Sequence, residues 1–270
     1  QDFFMPIKPE TTICLFACHF KNKGIPSYLK LYLSELKKYS GKLVLINEDD
    51  AFLETDSEFL AEHAISNLIL PNIGHDFGSW MRALEKLDMK AYTHFLFAND
   101  SCILTQPLKA FFGWLNTTHF DFAGLINSNE RKFHVQSYFT IANQTGLKEI
   151  QNQFKKHGIV KDKRKLIKYY EIGISQVQLS KKNVISTFLN IPKMNKNNPM
   201  FHQPLDLIKN KFPLIKKQLV FDQMSESDVI ALKSAGIYTG PQVIKDQIIR
   251  YSEFQKVNWN DLFQDRPINN

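Results

Sequence analysis

Two short polar clusters interrupt a chain that otherwise alternates apolar runs with amphipathic stretches, and both hold residue types that do chemistry. The first is PNIGHDFGSW at 71–80, where Asn72, Gly74, His75, Asp76 and Gly78 follow an apolar run. The second is Asn99, Asp100 and Ser101, which close the apolar run YTHFLFA. Glycine lets the backbone take a positive φ or come close to a ligand. A helix opening near Gly78 would aim its first amides at an anion. Asp76 would either cap that helix or accept hydrogen bonds from ligand hydroxyls. Asp100, between an amide and a hydroxyl, belongs to a set of hard oxygen donors suited to a divalent cation such as Mn or Mg. The same three residue types also make an ordinary strand-ending turn.

The elements around these clusters follow from periodicity. TTICLFACHF reads as a strand buried on both faces, IPSYLKLYLSELKKYSG as a helix, and KLVLIN as a second strand. DSEFLAEHA is a short helix and SNLIL a third strand, so the first polar cluster follows strand three. Trp80, Ala83, Leu84 and Leu87 repeat with the i, i+3, i+4, i+7 spacing of a helix packed on a sheet. YTHFLFA is a fourth strand, PLKAFFGWLN a helix and FDFAGL a fifth strand. Strands separated by helices imply an α/β fold with a Rossmann-like, mostly parallel sheet. Ligands of such sheets bind at the carboxyl ends of the strands, which puts both polar clusters on one edge. From about residue 133 the rhythm changes: VQSYFTIA reads as a strand, 144–157 and 163–181 as helices, NVISTFL as a further strand, and short helices follow 195.

Composition narrows the class. Lys and Arg number 34 against 27 Asp and Glu, a net charge of +7 with its densest run at KDKRKLIKYY. That excess suits phosphate, whether nucleotide or lipid headgroup, but no nucleic-acid motif is present and the aromatics do not interleave with the basic residues. Cys14 and Cys18 share a strand, so their Cα atoms lie about 13 Å apart at about 3.3 Å per residue, and a disulfide spans no more than about 7 Å. Three cysteines without a C-x-x-C spacing suit a reducing compartment. No apolar run is long enough to span a bilayer, and QDFFMPIKPE lacks the basic start and apolar core of a secretory signal. The expectation is a cytoplasmic protein, peripheral at the inner face of the cell membrane.

NIGHDFGSW, FANDSC, HVQSYF, YYEIGISQ and NNPMFHQPLDLIKNKFPLIKKQL occur in an order and at spacings that resemble the rhamnan synthesis protein F family over roughly 12–220. These are bacterial glycosyltransferases of surface polysaccharide assembly. The resemblance implies a glycosyltransferase A-type catalytic domain over 1–220, with a donor half at about 1–130, an acceptor half at about 131–220, and a helical extension at 221–270 packed on the same domain. It puts Asn72 and Gly74 in the N-x-G turn after strand three, with Asp76 and Gly78 beside the donor. Asn99, Asp100 and Ser101 stand where such enzymes carry Asp-x-Asp, the metal and diphosphate site. Only Asp100 is a carboxylate, so the site would lean on the donor diphosphate and on a histidine, His134.

The resemblance further implies that Glu171, near the start of a helix, is the base of an inverting transfer, its pKa raised by Tyr169, Tyr170 and Ile172. Gln136, Ser137 and Tyr138 would contact sugar hydroxyls, with a core position the alternative for Tyr138. His202 and the basic stretch 209–217 would shape the acceptor side, where positive charge suits a lipid pyrophosphate carrier or an anionic membrane surface. The expected partners are a nucleotide-sugar donor, a glycan or lipid-linked glycan acceptor and the membrane surface, and no nucleic acid. Two rivals remain: a carbohydrate-binding module on the same fold, favoured by the missing second Asp, and a sugar nucleotidyltransferase. The latter usually has a Gly-rich basic loop after strand one, where this chain has HFKNKGIP with a single glycine.

Overall fold

A computed structural model describes residues 6–19, 24–48, 54–195, 197–238 and 240–264. The opening five residues and residues 20–23, part of the HFKNKGIP segment, lie outside the described residues. The elements run β1 Thr12–Ala17, α1 Ser27–Lys37, β2 Lys42–Asn47, α2 Glu54–Glu62, β3 Ile65–Ile69, α3 His75–Lys86 and β4 His94–Asn99. They continue with β5 Cys102–Leu104, α4 Lys109–Leu115, β6 Phe122–Ser128, β7 His134–Val135, β8 Phe139–Asn143 and α5 Gln144–His157. One continuous helix follows, made of α6 Lys163–Leu166, a π-helical stretch Ile167–Glu171 and α7 Ile172–Ser180. Then come β9 Ile185–Leu189, α8 Pro199–His202, α9 Pro204–Lys209, β10 Leu214–Lys216, α10 Lys217–Phe221, α11 Glu226–Ser234, α12 Pro241–Tyr251 and α13 Trp259–Gln264.

The central sheet has the order β3-β2-β1-β4-β8-β6, with β7 and β9 also paired to β6. The β3-β2-β1-β4 half is parallel. β8 lies antiparallel between β4 and β6, and β9 extends β6 in parallel. This is the Rossmann-like, mostly parallel sheet flanked by helices that the alternation of runs implied.

Alternation along each strand divides the core into two layers. Cys14, Phe16, Leu43, Leu45 and Leu96 face α1 and α4, and Ile244 and Ile248 of α12 and Trp259 and Phe263 of α13 pack into the same layer. Ile13, Leu15, Val44, Ile46 and Phe97 face Phe77 and Trp80 of α3, Ile150 and Phe154 of α5, and Ile174 of α7. All three cysteines are buried and free.

VQSYFTIA is not one strand. Asn127 pairs with Val135 and Gly124 with Thr140, so two residues of β6 face four of its partner. Gln136, Ser137 and Tyr138 fall in the resulting bulge, a device that re-aims side chains at a sheet edge. A second departure is a two-stranded antiparallel sheet, β5 with β10, which no period in the sequence announced.

Candidate functional site

β1 and β4 are parallel neighbours, with Ala17 opposite Asn99, so their carboxyl ends arrive together. The turn after β3 reaches the same edge. Gly74 has φ +85°, and a Cβ on it would stand 2.9 Å from Ile159 Cγ2, so glycine is required there. α3 begins at His75, three residues earlier than Gly78 suggested. A Cβ on Gly78 would run into the Ile73 carbonyl, so this glycine serves the turn's own closure rather than a ligand's approach.

Asp76 does not cap α3 with its side chain. Its carboxylate instead accepts a 2.6 Å hydrogen bond from Asn99 Nδ2. Asn99 Oδ1 accepts from the Ser101 amide at 3.1 Å and its hydroxyl at 2.6 Å. The amide of Asn99 thus ties the turn after β3 to the end of β4. His19, just past β1, joins them, with Nε2 3.4 Å from Asp76 Oδ1. At that length it is a charge contact more than a hydrogen bond. Burial alone would lower the His19 pKa, but the carboxylates of Asp76 and Asp100 outweigh it and the net direction is up.

Two lysines arrive from far along the chain. β10 places Lys216 opposite Cys102, and the Lys217 amide donates to the Ser101 carbonyl at 3.0 Å. Lys216 Nζ donates to Ser101 Oγ at 3.2 Å and lies 4.4 Å from the ring centroid of Tyr138. Lys217 Nζ forms a 2.8 Å ion pair with Asp100 Oδ2. Asp100 is buried, and a buried carboxylate needs such a counter-charge.

Glu171 sits on the other layer. It ends the π-helical stretch in the middle of a continuous helix, not near a helix start, so no helix dipole accounts for it. A π-helical turn widens the helix and is frequent at functional sites. Glu171 lines a small apolar pocket with Phe77, Trp80, Phe97, Ser137 and Tyr170. Burial pushes its pKa up; Lys216 and His134 pull it down, Asp76 pushes it up and Lys163 pulls it down. The same charges that define the polar edge therefore reach Glu171.

The remaining expected residues divide. Ser137 shares the pocket of Glu171, whereas Gln136 is buried in the bulge. Tyr138 is core: it is 2% exposed and its hydroxyl has no partner, so it supports Lys216 from below rather than facing open space. Asn72 and Gly74 line a separate open cleft with Ile73, His75 and Lys161. His202 closes α8, with Nδ1 buried and unpartnered. His134 Nδ1 lies 2.8 Å from the Lys132 carbonyl, which fixes Nδ1 as a donor.

A divalent cation does not fit these residues. Among the described residues no three His, Cys, Asp or Glu side chains converge. Magnesium sites lean on one or two carboxylates plus substrate phosphates. Here Asp100 is already neutralised by Lys217, whose ammonium would repel a metal beside it.

Sequence reasoning missed His19 as a site residue, although it carried a signal, a polar residue closing an apolar strand. Lys216 and Lys217 were expected only within the basic stretch 209–217 on the acceptor side, not beside Ser101 and Asp100.

A family model described as rhamnan synthesis protein F matches residues 44–237. No curated protein matches the chain. Among solved structures, the inositol-1-phosphate CTP transferase from T. maritima is similar at 10% identity over 68% of this chain and 86% of that chain, with a TM-score of 0.44. A cytidylyltransferase from Leptospira borgpetersenii is similar at 9% identity over 85% of this chain and 97% of that one, TM-score 0.41. The glycosyltransferase GlyE in Streptococcus pneumoniae is similar at 14% identity over 93% and 62%, TM-score 0.41.

Proposed function

This chain belongs to the rhamnan synthesis protein F family, and from that premise we propose that it moves a sugar from a nucleoside-diphosphate donor to a hydroxyl of a glycan or lipid-linked glycan, with inversion. The observation that carries this reading is Glu171, a carboxyl with a raised pKa set against an apolar pocket and within charge reach of the polar edge. A base for an acceptor hydroxyl needs that kind of setting, because a carboxylate of ordinary pKa is too weak a proton acceptor.

The acceptor oxygen attacks the anomeric carbon while its proton passes to the Glu171 carboxylate. The bond from that carbon to the diphosphate oxygen breaks, and its electron pair leaves on the nucleoside diphosphate. We assign the donor sugar to Asp76 and Asn99, and the acceptor hydroxyl to the rim shared by Ser137 and Glu171. Rhamnose is the sugar that the family's name suggests, and a bacterial surface polysaccharide is the acceptor.

No helix among the described residues is long and apolar enough to cross a membrane. We assign peripheral contact with an anionic membrane to the exposed basic residues Lys155, Lys156, Lys161, Lys163, Arg164 and Lys165, which adjoin exposed Ile159.

The test is a thermal-shift screen of nucleotide sugars, followed by proton NMR of the product formed with the stabilising donor. A true donor raises the melting temperature by mass action, and the product should have the opposite anomeric configuration. Retained configuration would remove the need for Glu171. Pyrophosphate release from a nucleoside triphosphate and a sugar phosphate would instead make the protein a nucleotidyltransferase.

A further inference from the structure

The clasp of β10 on β5 brings two ammonium groups to the place where the metal of a glycosyltransferase A-type site was expected. We propose that Lys216 and Lys217 form the diphosphate-binding site and take the role of a divalent cation, so that this chain binds its donor without metal. The proposal rests on the transferase reading for its physiological ligand, but the site itself is defined by the clasp.

The geometry supports it at four points. Lys217 is held by Asp100 at 2.8 Å and Lys216 by Ser101 at 3.2 Å, so both side chains are fixed before a ligand arrives. An ammonium has three N–H donors, and each of these contacts uses one. The Lys216 Nζ lies over the buried Tyr138 ring, 4.4 Å from its centroid, a cation–π contact that holds the charge in place. Successive positions 216 and 217 leave a strand for a helix, so their side chains reach the edge from one short segment bonded to Ser101. When the anomeric bond breaks, the electron pair and its negative charge go to the diphosphate, which the two ammonium groups are placed to neutralise.

Asp100 then acts as a positioning residue for Lys217, not as a metal ligand. The Lys216 charge also acts on Glu171, so a diphosphate bound to Lys216 would offset the positive charge that weakens Glu171 as a base.

The probe is inorganic pyrophosphate, titrated calorimetrically into the full chain in excess EDTA and again with magnesium or manganese. Binding in EDTA is expected, weakening with added salt. Lys216→Met and Lys217→Met should each weaken it about tenfold or more, and Lys→Arg should restore part of the loss because the charge returns. Methionine keeps much of the lysine stem, and Lys216→Gln and Lys217→Gln serve as a second pair should either fail to fold. Binding that appears only with metal, or that both Met variants leave unchanged, would overturn the site. The transferase reading is judged apart. Lysine-dependent pyrophosphate binding with no transfer from any nucleotide sugar would sink that reading and leave the anion site standing. Transfer that requires metal and ignores both lysines would do the reverse.

Discussion

The two carboxylates of this site live in opposite surroundings. Asp100, at the end of β4, has its charge met by the Lys217 ammonium at 2.8 Å. Glu171, on the far layer, lines an apolar pocket, and burial drives its pKa up despite Lys216 and His134. A carboxylate locked to a lysine is a fixed charge that holds another group in place. A carboxylate pressed against phenyl and indole rings gains a proton readily and suits transfer. One site thus divides charge placement from proton removal by environment alone, using the same functional group twice.

The strongest way to break this comparison is to neutralise each carboxyl in turn. Glu171→Gln keeps shape but cannot take a proton, and general-base catalysis is worth about 10²-fold or more. Turnover should fall by about that factor with donor affinity nearly unchanged; equal losses in both, from single-turnover and calorimetric measurements, would make Glu171 structural. Asp100→Asn should do the opposite. It frees Lys217, so donor or pyrophosphate affinity should weaken about tenfold, on the order of 1.4 kcal/mol, with a smaller change in turnover. An Asp100→Asn variant with unaltered affinity would show that Lys217 needs no anchor.

The pH profile sharpens the same contrast. Glu171 works as a base only when ionised, so kcat/KM should rise with pH through the pKa of the free enzyme. Burial raises that pKa, which sets the acid limb above the ordinary carboxylate range; Lys216 lowers it. Removing Lys216's charge by Lys216→Met should therefore move the limb to higher pH. Lys217→Met should move it less, because the Lys217 ammonium is paired with the Asp100 carboxylate at 2.8 Å.

The sequence made the supports of this site more legible than the site. Apolar runs such as TICLFA and KLVLIN encode buried parallel strands locally, and the strand order puts Asp76 and Asn99 at one edge without further information. The clasp is different. The contacts of Lys216 with Ser101 and Lys217 with Asp100 join positions 115 and 117 apart, and β10 is three residues long, too short for a period to show. The bulge at 136–138 hid for a related reason: VQSYFTIA alternates well enough to read as one strand, and only pairing with β6 shows the extra residues. Glu171 was visible as an acid among apolar neighbours, but the π-helical turn that seats it mid-helix has no signature in residue types.

The smallest expected effect is also the one that separates the carboxylates by sign. A group whose folded pKa is raised favours folding while protonated, and that contribution is lost as pH rises from its unfolded value, about 4.3 for Glu, through the folded one. Ionised Glu171 therefore costs stability at neutral pH. Glu171→Gln removes that cost and should raise the melting temperature by about 2 °C at pH 7.5, a modest gain of the kind seen when a functional strain is relieved. Near pH 4, where the native carboxyl holds its proton, the gain should vanish. Asp100→Asn should instead lower the melting temperature at pH 7.5, because a partly buried ammonium loses its partner. Calorimetric scans of both variants at the two pH values decide it. If both substitutions shift the melting temperature in the same direction at pH 7.5, the two carboxylates do not differ in the way their surroundings require.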